Sequence, residues 1–308
     1  MENNISNHND NEIDFGVIFE LIFTNKKFII IATMISVLIA LIFAFATPKI
    51  YTSKTILSVS NQDDSLSSMI GNYSGLASLA GIALPSESGD KSEEAIERIK
   101  SFDFFSKHFL TSISIENLMA VKRWNAKENK LSYKKRQFDE SSGKWIRRVS
   151  FPRTIVPSAQ EAYEEYQDIL SIRRDNKTQF VHISISHKSP LVAKKWTDLI
   201  IKNINESMRE EDQRLAKNFI IFLKKSSEET NLEAMQDAIT QLLEIQMQKL
   251  MLASSNEDYV FKRIDSPIAP EEESYPNKIL ILILGLIFGF IIAVLLLFAK
   301  NKYLFKPI

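Results

Sequence analysis

ILILILGLIFGFIIAVLLLFA, residues 279–299, and FIIIATMISVLIALIFAFA, residues 28–46, decide the architecture of this chain. Neither stretch contains a charge. An α-helix rises about 1.5 Å per residue, so each can cross a hydrocarbon core of about 30 Å. Lipid offers no partner to backbone N–H and C=O groups, which makes a helix the expected form. Working outward, the sequence divides into a tail (1–27), a first transmembrane helix (28–46), a domain (47–278), a second transmembrane helix (279–299) and a tail (300–308). A cleaved leader is the competing reading for the first stretch, and Ala44-Phe45-Ala46 resembles a cleavage site. The preceding residues, however, carry Glu2, Asp10, Glu12 and Asp14, and the apolar run exceeds the usual leader length of about 7–15 residues. An anchor is therefore expected.

Charge gives the orientation less sharply than hydropathy gives the spans. Lys26 and Lys27 precede the first span, and Lys300, Lys302 and Lys306 follow the second; Lys49, Lys54 and Lys278 lie on the inner flanks. Two spans place both termini on one side. The short Lys-bearing tails are expected in the cytoplasm and the domain across the membrane, in the periplasm. Within the spans, small residues recur every fourth position: Ala32, Ser36, Ala40 and Ala44 in the first, Gly285, Gly289 and Ala293 in the second. Such stripes let two backbones approach closely, so these seven residues are the expected packing contacts.

Composition limits the rest. With 38 basic and 38 acidic residues the formal net charge is zero, which gives no field for nucleic acid. There is no cysteine, which removes thiol chemistry, disulfides and cysteine metal sites. His182 and His187, five apart on an expected strand, fall on opposite faces and read as surface residues. Paired acids such as Glu210-Glu211 sit on helix surfaces. No Walker A loop is present; Gly143-Lys144-Trp145 lacks both the leading glycine and the hydroxyl. Catalytic residues, metal ligands and cofactor-binding residues are each expected to be none.

Inside the domain, base strands are expected at about 51–60, 169–173, 179–186 and 259–265. Ser92 to Phe109 has the spacing of one helix, with Ala95, Ile99, Phe102 and Phe105 inward. Residues 122–148 read as an irregular, charged excursion. Ser158 and Glu161 form a capping box that opens a helix. From Pro190 a long helix is expected to about 229, its face made by Val192, Trp196, Ile200, Ile204, Met208, Leu215 and Phe219. A break at Thr230-Asn231 precedes a second helix at about 232–253. Pro267, Pro270 and Pro276 make a stiff juxtamembrane segment. Phe15, Ile18, Phe19, Ile22 and Phe23 suggest an interfacial helix before the first span, and 65–88 a glycine-punctuated loop. The expected class is an α+β domain between two transmembrane helices.

This layout resembles the Wzz-type chain-length determinants, polysaccharide co-polymerases of the Gram-negative inner membrane. The resemblance runs from about Ile13 to about Ala299. It is carried by Ile13-Asp14-Phe15, Gly75-Leu76-Ala77-Ser78-Leu79-Ala80-Gly81-Ile82 and Leu118-Met119-Ala120-Val121-Lys122-Arg123-Trp124. Pro157-Ser158-Ala159-Gln160-Glu161-Ala162-Tyr163, His187-Lys188-Ser189-Pro190 and Asn205-Glu206-Ser207-Met208-Arg209-Glu210 continue it, and Tyr259 to Pro267 ends it. The family commonly has Pro-Ala-x-x-Pro where this chain has Pro267-Ile268-Ala269-Pro270, a departure in spacing. The resemblance implies an α/β base near the membrane plus long extended helices, in a non-enzymatic regulator that forms a ring or bell-shaped homo-oligomer. Its implied partners are an O-antigen polymerase, a lipid-linked polysaccharide and the bilayer. An export adaptor for capsule or exopolysaccharide shares the architecture. A periplasmic sensor or scaffold is a third reading, disfavoured because tails this short hold no output domain.

Overall fold

Tyr51 to Val59 alternates buried and less buried positions, with Tyr51, Ser53, Thr55 and Leu57 inward, as a strand with one covered face requires. In the computed structural model, which describes residues 23–60, 90–229, 233–255 and 257–304, this strand (β1) is interior to a four-stranded antiparallel sheet. The chain falls into two units, one holding the two candidate spans and the other Lys49–Ser274. The expected interfacial helix up to Ile22, the 65–88 loop and the Thr230-Asn231 break lie outside the described residues.

Helix α1 (Lys26–Ala46) belongs to the unit of the candidate spans; in the larger unit β1 leads to α2 (Lys91–Lys100). Three short helical turns follow, Phe102–Phe104, a π turn Phe105–Phe109 and a 3-10 turn Leu110–Ser112. After them come α3 (Ile115–Met119), hairpins β2 (Val121–Asn125)–β3 (Lys130–Tyr133) and β4 (Phe138–Asp139)–β5 (Lys144–Trp145), and α4 (Ala159–Ile169). Strands β6 (Leu170–Arg174) and β7 (Val181–His187) precede α5 (Pro190–Glu229), α6 (Glu233–Ser255) and β8 (Phe261–Asp265). The sheet order is β6-β7-β1-β8.

Local chemistry explains most boundaries. Ser158 accepts from Glu161 N–H while the Glu161 side chain accepts from Ser158 N–H, completing the expected capping box of α4. The β6–β7 turn is held by Asp175, whose side chain accepts from Lys177 and Thr178 N–H at 2.8 and 3.1 Å. Two expectations need correction. The helix expected across Ser92–Phe109 is interrupted at Ser101, which is extended and caps Phe104 N–H through its hydroxyl. The restart and the following π turn change the phase, so Phe102 is 41% exposed and Phe104 is buried instead. The 122–148 excursion is two small hairpins, the second closed by Phe138 against Trp145.

Leu57, Val181, Ile183 and Ile185 on the sheet, Ile99, Phe105 and Phe109 beside it, and Trp196, Ile200 and Ile204 on α5 form the main core. Helix α5 has 40 residues and spans about 60 Å at 1.5 Å per residue. Its second half pairs with α6 through a separate cluster of Leu223, Ile239 and Leu242. Gln213 donates to Ala253 O at 3.2 Å and sets the antiparallel register of the two helices.

Candidate functional site

The candidate spanning helices are α1 (Lys26–Ala46), which starts two residues before its apolar stretch and ends with it, and α7 (Lys278–Leu304), which extends past its stretch at both ends. Only 11% of each hydrophobic window is buried, whereas the core helix of a soluble protein would be mostly covered. Asn277 caps α7, its side chain accepting from Leu280 N–H at 3.1 Å.

The two helices meet along the small-residue stripes. A Cβ added to Gly285 would stand 2.5 Å from Ala40 Cβ, and one added to Gly289 would stand 2.6 Å from Ser36 Cβ and 3.1 Å from Thr33 Cα. No larger residue fits without moving a backbone. Ser36 Oγ donates to Gly285 O at 2.9 Å, a half-buried bond across the pair. Ala293 and Leu297 pack with Ile29 and Ala32. The contacts run antiparallel, Ala40 against Gly285, Ser36 against Gly289, Ala32 toward Ala293. Ala44 is also buried.

The juxtamembrane prolines divide between the units. Pro267 is buried and the chain beside it is tied to β1, where Ser53 Oγ donates to Ile268 O at 2.8 Å and Thr55 Oγ1 to Asp265 O at 2.5 Å. These bonds explain how two hydroxyls come to be buried on a core-facing strand. Pro270 is half-buried, and Pro276 is buried just before α7. Lys49 and Glu273 form an ion pair at 3.2 Å between the strand's beginning and this segment.

On α5 the expected face holds only in its first half. Trp196, Ile200, Ile204 and Met208 are buried and Val192 is half-buried, but Leu215 is 48% exposed and Phe219 only half-buried. Beyond Met208 the buried positions are Asp212, Ala216, Ile220 and Leu223. Positions four apart drift by roughly 40° on a helix of 3.6 residues per turn, so this series winds around α5 from the sheet to α6. The apolar stripe in the sequence stays straight, which leaves Leu215 and Phe222 uncovered.

Polar residues that sequence reading passed over fix the long helices to the base. Asn205 is buried, accepts from Val260 and Phe261 N–H at 3.0 and 2.9 Å, and donates to Phe261 O at 2.8 Å. It acts as a strand partner supplied by a helix. Asp212 accepts from Lys91 at 2.9 Å and from Tyr259 OH at 2.6 Å. Burial alone would raise its pKa, but these bonds from Tyr259 and Lys91 hold the carboxyl below its ordinary range. The available signal was a polar residue at a buried helical phase.

His187 is not a surface residue. Its face of β7 is the core face, while His182 points the other way. Nδ1 accepts from Ser189 N–H at 3.0 Å, so Nε2 carries the proton and donates to Asn117 O at 2.9 Å. Burial pushes its pKa down to about 4. The unfolded chain would protonate near 6.5, so His187 stabilises fully above that pH and the contribution is lost as pH falls toward 4. Thermal melts of wild type should lose up to about 3 kcal/mol over that window, and His187→Gln should flatten the dependence. An unchanged profile would show that the ring is not held neutral.

Among the described residues no group of three or more His, Asp or Glu could hold a metal ion. A groove of about 490 Å³ is lined by polar and charged residues, Lys202, Asn205, Glu206, Arg209, Glu257, Asp258 and Arg263.

Residues 11–109, 99 of the 308, match the family model described as Wzz, chain length determinant protein. Among curated proteins none matches the sequence. The chain is similar to a solved "full-length bacterial polysaccharide co-polymerase" at 14% identity, covering 94% of this chain and 97% of that one, with a TM-score of 0.40. It is similar to a fragment of WzzB, a polysaccharide co-polymerase from Salmonella Typhimurium, at 16% identity over 74% of this chain and 100% of that one, TM-score 0.33. A mutant of the Shigella flexneri lipopolysaccharide O-antigen chain-length regulator WzzBSF gives 12% identity, 73% and 100% coverage, and TM-score 0.23.

Proposed function

We propose that this chain, which carries the Wzz chain length determinant segment over residues 11–109, is a non-enzymatic polysaccharide co-polymerase of the bacterial inner membrane. In this reading it sets the chain length of O-antigen lipopolysaccharide together with a membrane polymerase acting on a lipid-linked polysaccharide. The observation that carries it is the combination of that segment with two candidate spans, one on each side of a mixed domain bearing a 40-residue helix. Such a helix suits a scaffold along which a growing glycan can be measured better than it suits a pocket for chemistry.

Self-association belongs to the same reading. Leu215, Ile221 and Phe222 on α5 and Met247 and Met251 on α6 are 48–67% exposed, more apolar surface than two solvated helices need. A ring of copies would cover such surface by packing helices of neighbouring subunits together. Both termini lie in the cytoplasm and residues 47–278 in the periplasm. Alkaline phosphatase fused after Lys188 should therefore be active, and a fusion after Lys300 inactive; the reverse pattern would overturn the orientation.

The decisive experiment is deletion of the gene followed by gel display of lipopolysaccharide. Loss of the modal band with polymer still present is expected. An unchanged lipopolysaccharide ladder with a changed capsule or exopolysaccharide would remove the O-antigen assignment.

A further inference from the structure

Between Glu140 and Glu161 the sequence has no acidic residue but carries Lys144, Arg147, Arg148 and Arg153. This stretch includes β5 and the loop that joins it to α4. Its apolar side chains face outward: Phe151 is 97% exposed, Val156 57%, Ile155 56% and Ile146 50%. Ser150 to Arg153 is a tight turn closed by Arg153 N–H on Ser150 O at 3.0 Å, and Phe151 occupies its tip.

The exposure is built, because Arg147 holds the loop from inside. Its Nε donates to Ile155 O at 2.8 Å and its Nη2 to Thr154 O at 2.6 Å. The same guanidinium grips both Glu161 oxygens, at 2.5 and 2.8 Å. The two side chains are 11% and 10% exposed, so the clamp is shielded from water and salt. Guanidinium and carboxylate neutralise one another there, and the cations left on the outside are Lys144, Arg148 and Arg153. Arg153 also lies 3.8 Å from Glu161 and 4.0 Å from the exposed Glu164 but itself remains 59% exposed.

We propose that this loop docks on the surface of an anionic phospholipid bilayer. Phe151, with Ile155 and Val156, enters the boundary between headgroups and acyl chains, and the three outward cations meet lipid phosphates. Aromatic and aliphatic side chains flanked by Lys and Arg are the chemistry that interfaces of this kind select. A convex apolar tip suits a bilayer, which yields around it, whereas a protein partner must offer a matching pocket. A bilayer is also at hand, since only Thr47–Ile50 separate the first candidate span from β1. The inference does not depend on which glycan the protein regulates.

The test uses the full chain in proteoliposomes. Because the chain is free of cysteine, Ser150→Cys gives one labelling site beside Phe151, and Lys127→Cys in the β2–β3 turn gives an exposed control. Each is labelled with an environment-sensitive fluorophore and quenched by nitroxide-bearing lipid, in phosphatidylcholine with and without phosphatidylglycerol. Quenching at 150 should exceed that at 127 by about twofold or more, and phosphatidylglycerol should increase it. Phe151→Asp should remove the difference, and Arg148→Glu the dependence on phosphatidylglycerol; both side chains are outside the core, and circular dichroism checks the fold. Equal quenching at the two sites in both vesicles would overturn the proposal. So would a label at 150 equally shielded in lipid-free amphipol, since a neighbouring protein surface would then cover the loop.

Discussion

Trp196→Asp should leave the larger unit unfolded, with no cooperative thermal transition and little full-length protein in membranes. Trp196 is 3% exposed, with its ring 5.6 Å from that of Phe109 and 4.9 Å from that of His187. Removing such a side chain costs about 3–5 kcal/mol, before counting the burial of a carboxylate among apolar groups. Domains of this kind have about 5–15 kcal/mol in total, so the two effects together exhaust most of it. Leu215→Asp is the matched control. The sequence places Leu215 on the same stripe, yet it is 48% exposed, and in single copies dispersed in detergent its substitution should leave the melting transition within a few degrees. Equal loss in both variants would mean that the winding of burial around α5 has been misassigned.

That winding shows where sequence reading stopped. A helical period reports which residues are apolar, and from Val192 to Met208 that coincided with burial because one sheet covers one face. Farther along, the partner changes from sheet to helix, and burial follows the partner. Asp212 is buried although charged, because Lys91 and Tyr259 come to it from distant parts of the chain. The π turn at Phe105–Phe109 was illegible for a related reason, since no residue type encodes it and packing of Phe104, Phe105 and Phe109 decides the phase. The capping box at Ser158, the turn at Asp175 and the alternation of β1 were legible because each is settled within a few residues. The outward loop at Phe151, just past the charged 122–148 stretch, carried no signal that sequence reading could use. Its apolar residues follow no strand or helix period, and only the Arg147 clamp explains why they stay outside.

The small-residue stripes carry the second large effect. Gly289→Leu should drive α1 and α7 apart, because even a Cβ there lies 2.6 Å from Ser36 Cβ and 3.1 Å from Thr33 Cα. A backbone atom is among the obstacles, so no rotamer change relieves the clash. Lipid supplies little hydrophobic drive to restore the pair, since association depends on the close contact itself. Separation also breaks the Ser36–Gly285 bond, leaving a hydroxyl to fall back on its own helix. Loss of the modal lipopolysaccharide band is expected while the larger unit, lacking any substitution, still melts cooperatively. Cysteines at Ala32 and Ala293 read the geometry directly, because both positions already hold a Cβ at the contact. Oxidation should link them in wild type, lose most of that linkage with Gly289→Leu, and fail for cysteines at Leu38 and Ile287. Those two sit on lipid-facing surfaces, 57% and 46% exposed. Persistence of the Ala32–Ala293 link in the leucine variant would show that the stripe is not what holds the helices together. A retained modal band with the link lost would show instead that the pairing holds the anchor and leaves chain length to the larger unit.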